Sequence, residues 1–242
     1  MNILAIDSGN SRVKWGLATE QDFLHCGAMA QDDDALAAAF AALPAPERVI
    51  ASNVAGEAAA QRIRTACAAW RVPVEFIASQ AEQCGVRNSY AQPAQLGSDR
   101  WAALIAAWQH EHAACLVVNC GTAITVDALS NEGEFLGGLI LPGLDMMRHS
   151  LVTGTAQLSA AFGVWRGFPR NTADAIHSGA IQAAIGAVRA QHALLDAPAA
   201  RCLLTGGAAD EVQPHLGLPS LRTDDLVLRG LLEIARENGG SR

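Results

Sequence analysis

A run near the N-terminus, Asp7-Ser8-Gly9-Asn10-Ser11-Arg12-Val13-Lys14, concentrates residue types that handle phosphate. A carboxylate at the end of a strand can hold a hydrated magnesium ion through one or two ligands. Gly9 allows a tight turn and a close approach of backbone to a phosphate. Asn10 and Ser11 add short polar groups that can donate to phosphate oxygens. Lys14 is the only lysine among 17 lysines and arginines. An ammonium and a guanidinium are not interchangeable, so a chain that otherwise uses arginine is expected to keep its lysine where a compact cation is needed. Read alone, the run is also an ordinary β-hairpin with a polar turn. It has neither Walker A nor dinucleotide-fold spacing.

The run does not stand alone. Asn119-Cys120-Gly121-Thr122-Ala123-Ile124-Thr125-Val126-Asp127 restates it at a distance of 112 residues (119 − 7), close to half of the 242-residue chain. Thr122 and Thr125 offer hydroxyls to a second face of a polyphosphate. A late glycine pair, Gly206-Gly207, closes another apolar stretch. A repeat of this length is a duplication of lobes and not a solenoid array.

Two further segments carry polar groups at helix starts. In Gly97-Ser98-Asp99-Arg100 the acid complements the helix dipole, while the arginine is electrostatically misplaced unless an anionic ligand sits there. Ser98 is the expected N-cap. Trp101, Leu104, Ile105 and Trp108 follow as an apolar helical stripe. Upstream stands Tyr90, the single tyrosine. In Asn171-Thr172-Ala173-Asp174-Ala175-Ile176-His177-Ser178-Gly179 either Asn171 or Thr172 caps a helix. Ala175, Gly179 and Ala183 then share one face and permit close helix packing.

These segments need a scaffold. Residues 2–7 read as a buried strand, with Arg12–Ala18 returning as a hairpin and Phe23–Met29 as a third strand. Ala35–Leu43 and Ala58–Trp70 read as helices, Arg48–Val54 and Val74–Ala78 as strands. The order restarts with strands at Leu116–Asn119, Ala123–Leu129 and Glu134–Leu141. A long helix at Asn171–Leu195, a strand at Arg201–Thr205 and a helix at Leu226–Ala235 complete it. The expectation is an α/β protein of two duplicated lobes, 1–114 and 115–242, facing each other across a ligand cleft.

Composition narrows the function classes. Half the residues are apolar, 17% are charged, and the net charge is −7. There is no basic block, so neither nucleic acid nor an anionic membrane is the expected partner. No targeting segment and no membrane-length apolar run is visible, which points to a cytoplasmic protein. The six cysteines are scattered without a Cys-x-x-Cys pair and read as reduced thiols. His110 and His112, two apart on a helix, do not converge on a ligand.

Taken in order, these motifs resemble those of the type III pantothenate kinases. The matching positions are Asp7 to Lys14, Tyr90, Gly97 to Arg100, Gly121 to Asp127, Gly137-Gly138 with Pro142-Gly143, Thr172 to Gly179, and Gly206-Gly207. The two glycine turns are similar to the paired phosphate loops of the actin and hexokinase fold. The resemblance implies an actin-like, ribonuclease H-like ATPase fold with the nucleotide in a cleft between two lobes. It implies a cytoplasmic homodimer that transfers the γ-phosphoryl of ATP to the primary hydroxyl of pantothenate, the first step of coenzyme A synthesis. Asp7, Ser8, Gly9, Asn10, Ser11, Arg12, Val13, Lys14 and Thr122 are then the ATP-binding residues, with Asp7 at the magnesium ion. Tyr90, Gly97, Ser98, Asp99 and Arg100 surround pantothenate with Thr172 of the neighbouring subunit, and Asp99 is the general base. A monovalent cation, potassium or ammonium, is implied at Asn119, where many members carry aspartate. An amide oxygen can still coordinate there, more weakly. The rival readings are a non-catalytic ATP-binding regulatory or accessory protein of the same fold, and a sugar or acetate kinase of the same superfamily.

Overall fold

The computed structural model describes residues 1–19, 22–31, 35–154 and 163–239. The chain divides into two compact units, Met1–His110 with Asp225–Arg242, and Glu111–Asp224.

The first unit is built on β1 (Ile3–Ser8). Ile3, Leu4, Ala5 and Ile6 are all buried, the continuous apolar run of a strand covered on both faces. β2 (Arg12–Ala18) returns antiparallel to β1, and β3 (Phe23–Ala30) antiparallel to β2. Two parallel strands, β4 (Arg48–Asn53) and β5 (Val74–Phe76), extend the other side, giving a five-stranded sheet in the order β3-β2-β1-β4-β5. The crossovers run through α1 (Leu36–Ala41) and α2 (Glu57–Cys67), the latter continued by a 3-10 turn at Ala68–Trp70. Phe40 is fully buried, edge-on to Trp15 and stacked on Trp70, each with ring centroids 5.6 Å apart. A short hairpin, β6 (Glu82–Gln83) and β7 (Val86–Asn88), leads to α3 (Ser98–Glu111).

The second unit repeats the plan. β8 (Cys115–Cys120), β9 (Ala123–Leu129) and β10 (Glu134–Pro142) form an antiparallel meander. After α4 (Leu144–Gly154) and α5 (Thr172–Leu194), β11 (Arg201–Thr205) lies parallel to β8. α6 (Ala209–Leu216) then connects to β12 (Ser220–Arg222), parallel to β11. The order β10-β9-β8-β11-β12 matches β3-β2-β1-β4-β5 strand for strand. The duplication expected from the two glycine turns is therefore present in topology.

The sequence division at 114/115 leaves out one feature. α7 (Leu226–Gly239) belongs with the first unit. It packs on β1, β2 and β4, where Leu228, Leu231, Leu232, Ile234 and Ala235 are buried, and Arg48 donates to the Ala235 carbonyl. Its destination is a long-range fact that no local pattern carries.

Candidate active site

In the first unit the turn after β1 is closed by the Gly9 amide, which donates to the Arg12 carbonyl at 3.0 Å. Asp7 is the cross-strand partner of Lys14, and Ser8 of Val13. Opposite residues of an antiparallel pair share a face, so the carboxylate and the ammonium emerge together. Ser8 and Val13 are buried. Asn10, Ser11 and Arg12 are exposed around it.

Asp7 is half-buried. Loss of water around its carboxyl, and secondly the charge of Asp99, push its pKa up to about 7; Lys14 opposes this and Asp225 adds to it. Two further acids and one lysine, from the start of α3, the residue before α7 and β2, thus act on Asp7. Asp225, which no sequence motif indicated, has its Oδ1 3.6 Å from the Lys14 Nζ. Among the described residues no three His, Cys, Asp or Glu side chains converge as a metal cage. A lone desolvated carboxylate instead fits magnesium, which keeps several waters and is held by one or two carboxylates plus phosphate oxygens.

Asp99 is half-buried in the first turn of α3. Its Oδ1 accepts from the Arg100 amide at 2.8 Å and lies 2.6 Å from where a Cβ on Gly97 would stand. Only glycine at 97 leaves the carboxylate in this position. Ser98 is not the N-cap expected: it is the first helical residue, and its hydroxyl pairs with that of Ser52 at 2.8 Å in the interior. The cause is tertiary, because Ser52 sits on β4 and a buried hydroxyl needs a partner. Arg100 is buried, and its Nη1 donates to the Tyr90 hydroxyl at 3.2 Å. Tyr90 is itself set by Asn88, whose side-chain oxygen accepts from the Tyr90 amide at 3.0 Å. The structure therefore brings Tyr90, Gly97, Asp99 and Arg100 together with Asp7 and Lys14 in one unit.

In the second unit the Gly121 amide donates to the Ala123 carbonyl at 3.0 Å. Asn119 faces Thr125, whereas a strict offset from Lys14 would have paired it with Val126. The second turn is one residue shorter than the first. Thr122 is exposed at its tip, and its carbonyl accepts from Gly143 at 3.0 Å. Asn119 is half-buried, and its Oδ1 lies against Gly206, 2.7 Å from a Cβ placed there. That Cβ would also meet the Cys120 carbonyl at 2.5 Å, and Gly206 has φ +93, so this position requires glycine. Arg222 braces the turn by donating to the Gly206 carbonyl at 3.2 Å.

Thr172 is exposed as the first residue of α5. The cap is Asn171, whose Oδ1 accepts from the Asp174 amide at 2.8 Å. Asp174 accepts from Val164 at 2.8 Å, and this hydrogen bond, with that from Asn171, holds its carboxyl below the ordinary carboxylate range. Further along, Ala175, Ile176, Gly179 and Ala180 of α5 and Met147, Ser150 and Leu151 of α4 line an open apolar groove of about 300 Å³.

Among the described residues no helix is long and apolar enough to cross a membrane. The sequence model of the type III pantothenate kinase family matches residues 3–193. A type III pantothenate kinase from Nitrosospira multiformis is 48% identical, with 97% of this chain and 91% of that protein covered. One from Aromatoleum aromaticum is also 48% identical, covering 99% of this chain and 100% of its own length. Among solved structures, a protein described as a Baf family transcriptional activator from Campylobacter jejuni superposes with TM-score 0.61 at 22% identity, covering 98% of this chain and 99% of that one. A protein described as a 2-dehydro-3-deoxygalactonokinase from Sinorhizobium meliloti gives 0.58 at 16%, covering 98% and 99%. At those identities the superpositions establish the fold alone, the α/β fold of the actin-like ATPases.

Proposed function

Because the chain belongs to the type III pantothenate kinase family, we infer that it is the ATP-dependent kinase that converts pantothenate to 4'-phosphopantothenate in coenzyme A biosynthesis. The observation that carries the reading is that Asp99 acts electrostatically on Asp7, and that Lys14 stands across the strand pair from Asp7, all within one unit. A phosphoryl-transfer site needs a carboxylate near the nucleophile and charged groups near the phosphates, and little else from the protein.

Asp99 is assigned as the general base. It takes the proton from the primary hydroxyl of pantothenate as that oxygen bonds to the γ-phosphorus of ATP. The bond from that phosphorus to the β–γ bridging oxygen breaks, and ADP leaves with the electron pair. Arg100 and Tyr90, already hydrogen-bonded to each other, are assigned to the pantothenate carboxylate, with the main chain at Gly97 and Ser98 beside them. ATP contacts are assigned to the main chain and side chains from Asp7 to Lys14, and to Thr122. Asp7 would hold the divalent cation, which when bound supplies neutralisation of phosphate charge. The Asn119 amide oxygen, which lies beside Gly206, is assigned to a monovalent cation such as potassium or ammonium. The apolar groove between α4 and α5 is assigned to a homodimer contact in a cytoplasmic enzyme, with Thr172 completing the partner copy's acceptor pocket.

The test is a coupled assay of ADP release with ATP and pantothenate, run against a panel of hydroxylated metabolites and sugars. Turnover with pantothenate alone is expected. Preference for a sugar, or ATP binding without turnover of any acceptor, overturns the assignment; the latter outcome would favour a regulatory protein.

A further inference from the structure

We propose that Asp225 is a positioning residue that orients the Lys14 ammonium toward the phosphates of ATP; the proposal rests on the reading of Lys14 as an ATP-binding residue. The Lys14 Nζ stands 3.6 Å from the Asp225 Oδ1. Lys14 has a long flexible stem and three rotatable donors, and ordering such a side chain costs conformational entropy. A carboxylate that engages one donor pays part of that ordering before the nucleotide arrives and leaves the other donors for phosphate oxygens.

The placement of Asp225 argues for this role over a structural one. Both side chains are about one-third exposed, at 35% and 32%, where an ion pair adds little to fold stability. Asp225 takes φ +57, in the left-handed region that aspartate and asparagine tolerate better than most residues. Its carbonyl accepts from the Arg229 amide at 2.9 Å, which fixes the residue at the head of α7, and α7 packs on β1 and β2. The carboxylate is thus presented by a packed helix to the strand that carries Lys14. It also acts on Asp7, so a third negative charge stands beside a site for a polyanion. Such a charge would weaken ATP binding by repulsion unless it acts through the lysine.

The experiment is a double-mutant cycle with Asp225→Asn and Asp225→Gly, each alone and in the Lys14→Ala background. Both replacements tolerate the left-handed conformation, so each variant should fold. In the Lys14 protein, Asp225→Gly is expected to lower kcat/KM for ATP about tenfold and Asp225→Asn by less, with KM for pantothenate changing less than about twofold. In the Lys14→Ala background, the same substitutions should change kcat/KM for ATP by less than about twofold. A full additive loss in both backgrounds, or an equal loss toward both substrates, overturns the proposal. If Lys14→Ala itself leaves ATP kinetics unchanged, the reading of Lys14 fails instead, and the two failures are told apart.

Discussion

Replacing Asp7 by asparagine should stabilise the metal-free protein above neutral pH while removing most of its kinase activity. The Asp7 pKa rises from 3.8 to about 7, chiefly because folding strips water from the carboxyl and secondly because Asp99 is near. A carboxyl whose folded pKa lies above its unfolded value favours the folded state fully below about pH 4, and that contribution is lost as pH rises toward 7. Each pKa unit corresponds to about 1.4 kcal/mol, so the charged carboxylate costs up to about 4 kcal/mol above pH 7. Asp7 is only half-buried and the new amide also loses hydration, so a gain of about 1–3 kcal/mol is expected for Asp7→Asn at pH 8. At pH 5 only about a third of that gap should have opened. The assay is urea denaturation of both proteins with EDTA, read as a shift in midpoint at constant slope. Magnesium with ATP should raise the midpoint of the natural protein more than that of the variant. A stability gap that is the same at pH 5 and pH 8, or a variant less stable at both, refutes the reasoning.

Other outcomes follow from the same geometry. Asp99→Asn keeps the shape of the α3 start and should lower kcat by roughly 10²–10⁴ with little change in pantothenate binding; a folded variant with near-natural kcat would remove Asp99 as the base. Asn119→Asp should lower the potassium concentration for half-maximal activity, because a carboxylate holds a cation more strongly than an amide; overlapping potassium titrations would mean that other groups dominate that site. Gly179→Arg, placed on an open face where an added Cβ meets nothing within 4 Å, should leave each copy folded but give monomers by sedimentation and lower activity; a fully active monomer would sink the shared acceptor pocket.

Much of the scaffold was legible because its signals are local. The runs at Ile3–Ser8 and Cys115–Cys120 are short, apolar and stopped by glycine turns, and their recurrence exposed the duplication. α4 escaped because its apolar residues face outward as well as inward: Met146 and Leu151 are exposed while Leu144 is buried. α6 escaped because Pro214 inside it reads as a stop. β6, β7 and β12, at two or three residues each, are too short to show alternation. The site was legible where a motif is contiguous, as from Asp7 to Lys14, and illegible where partners are distant. Ser98 hydrogen-bonds to Ser52, 46 residues away, and so does not cap its helix. Asp225 belongs to no pattern, and only the fold brings it to Lys14. The one-residue shortening of the second turn was equally hidden, because pairing register depends on where the returning strand docks.

The return of α7 to the first unit bears on how the protein is made. Domains generally fold as units during synthesis, N-terminal parts first. Here the order is inverted. Glu111–Asp224 is continuous and needs no segment that is translated after its last strand, β12. The older half of the chain must wait, because the helix that packs on β1, β2 and β4 is translated only after the whole second unit. Until then Ile3 to Ile6 lack part of their cover, leaving apolar strand surface open to chaperones or to misassembly with other nascent chains. A released chain truncated after residue 225 should therefore display a protease-resistant second unit attached to a protease-sensitive first one.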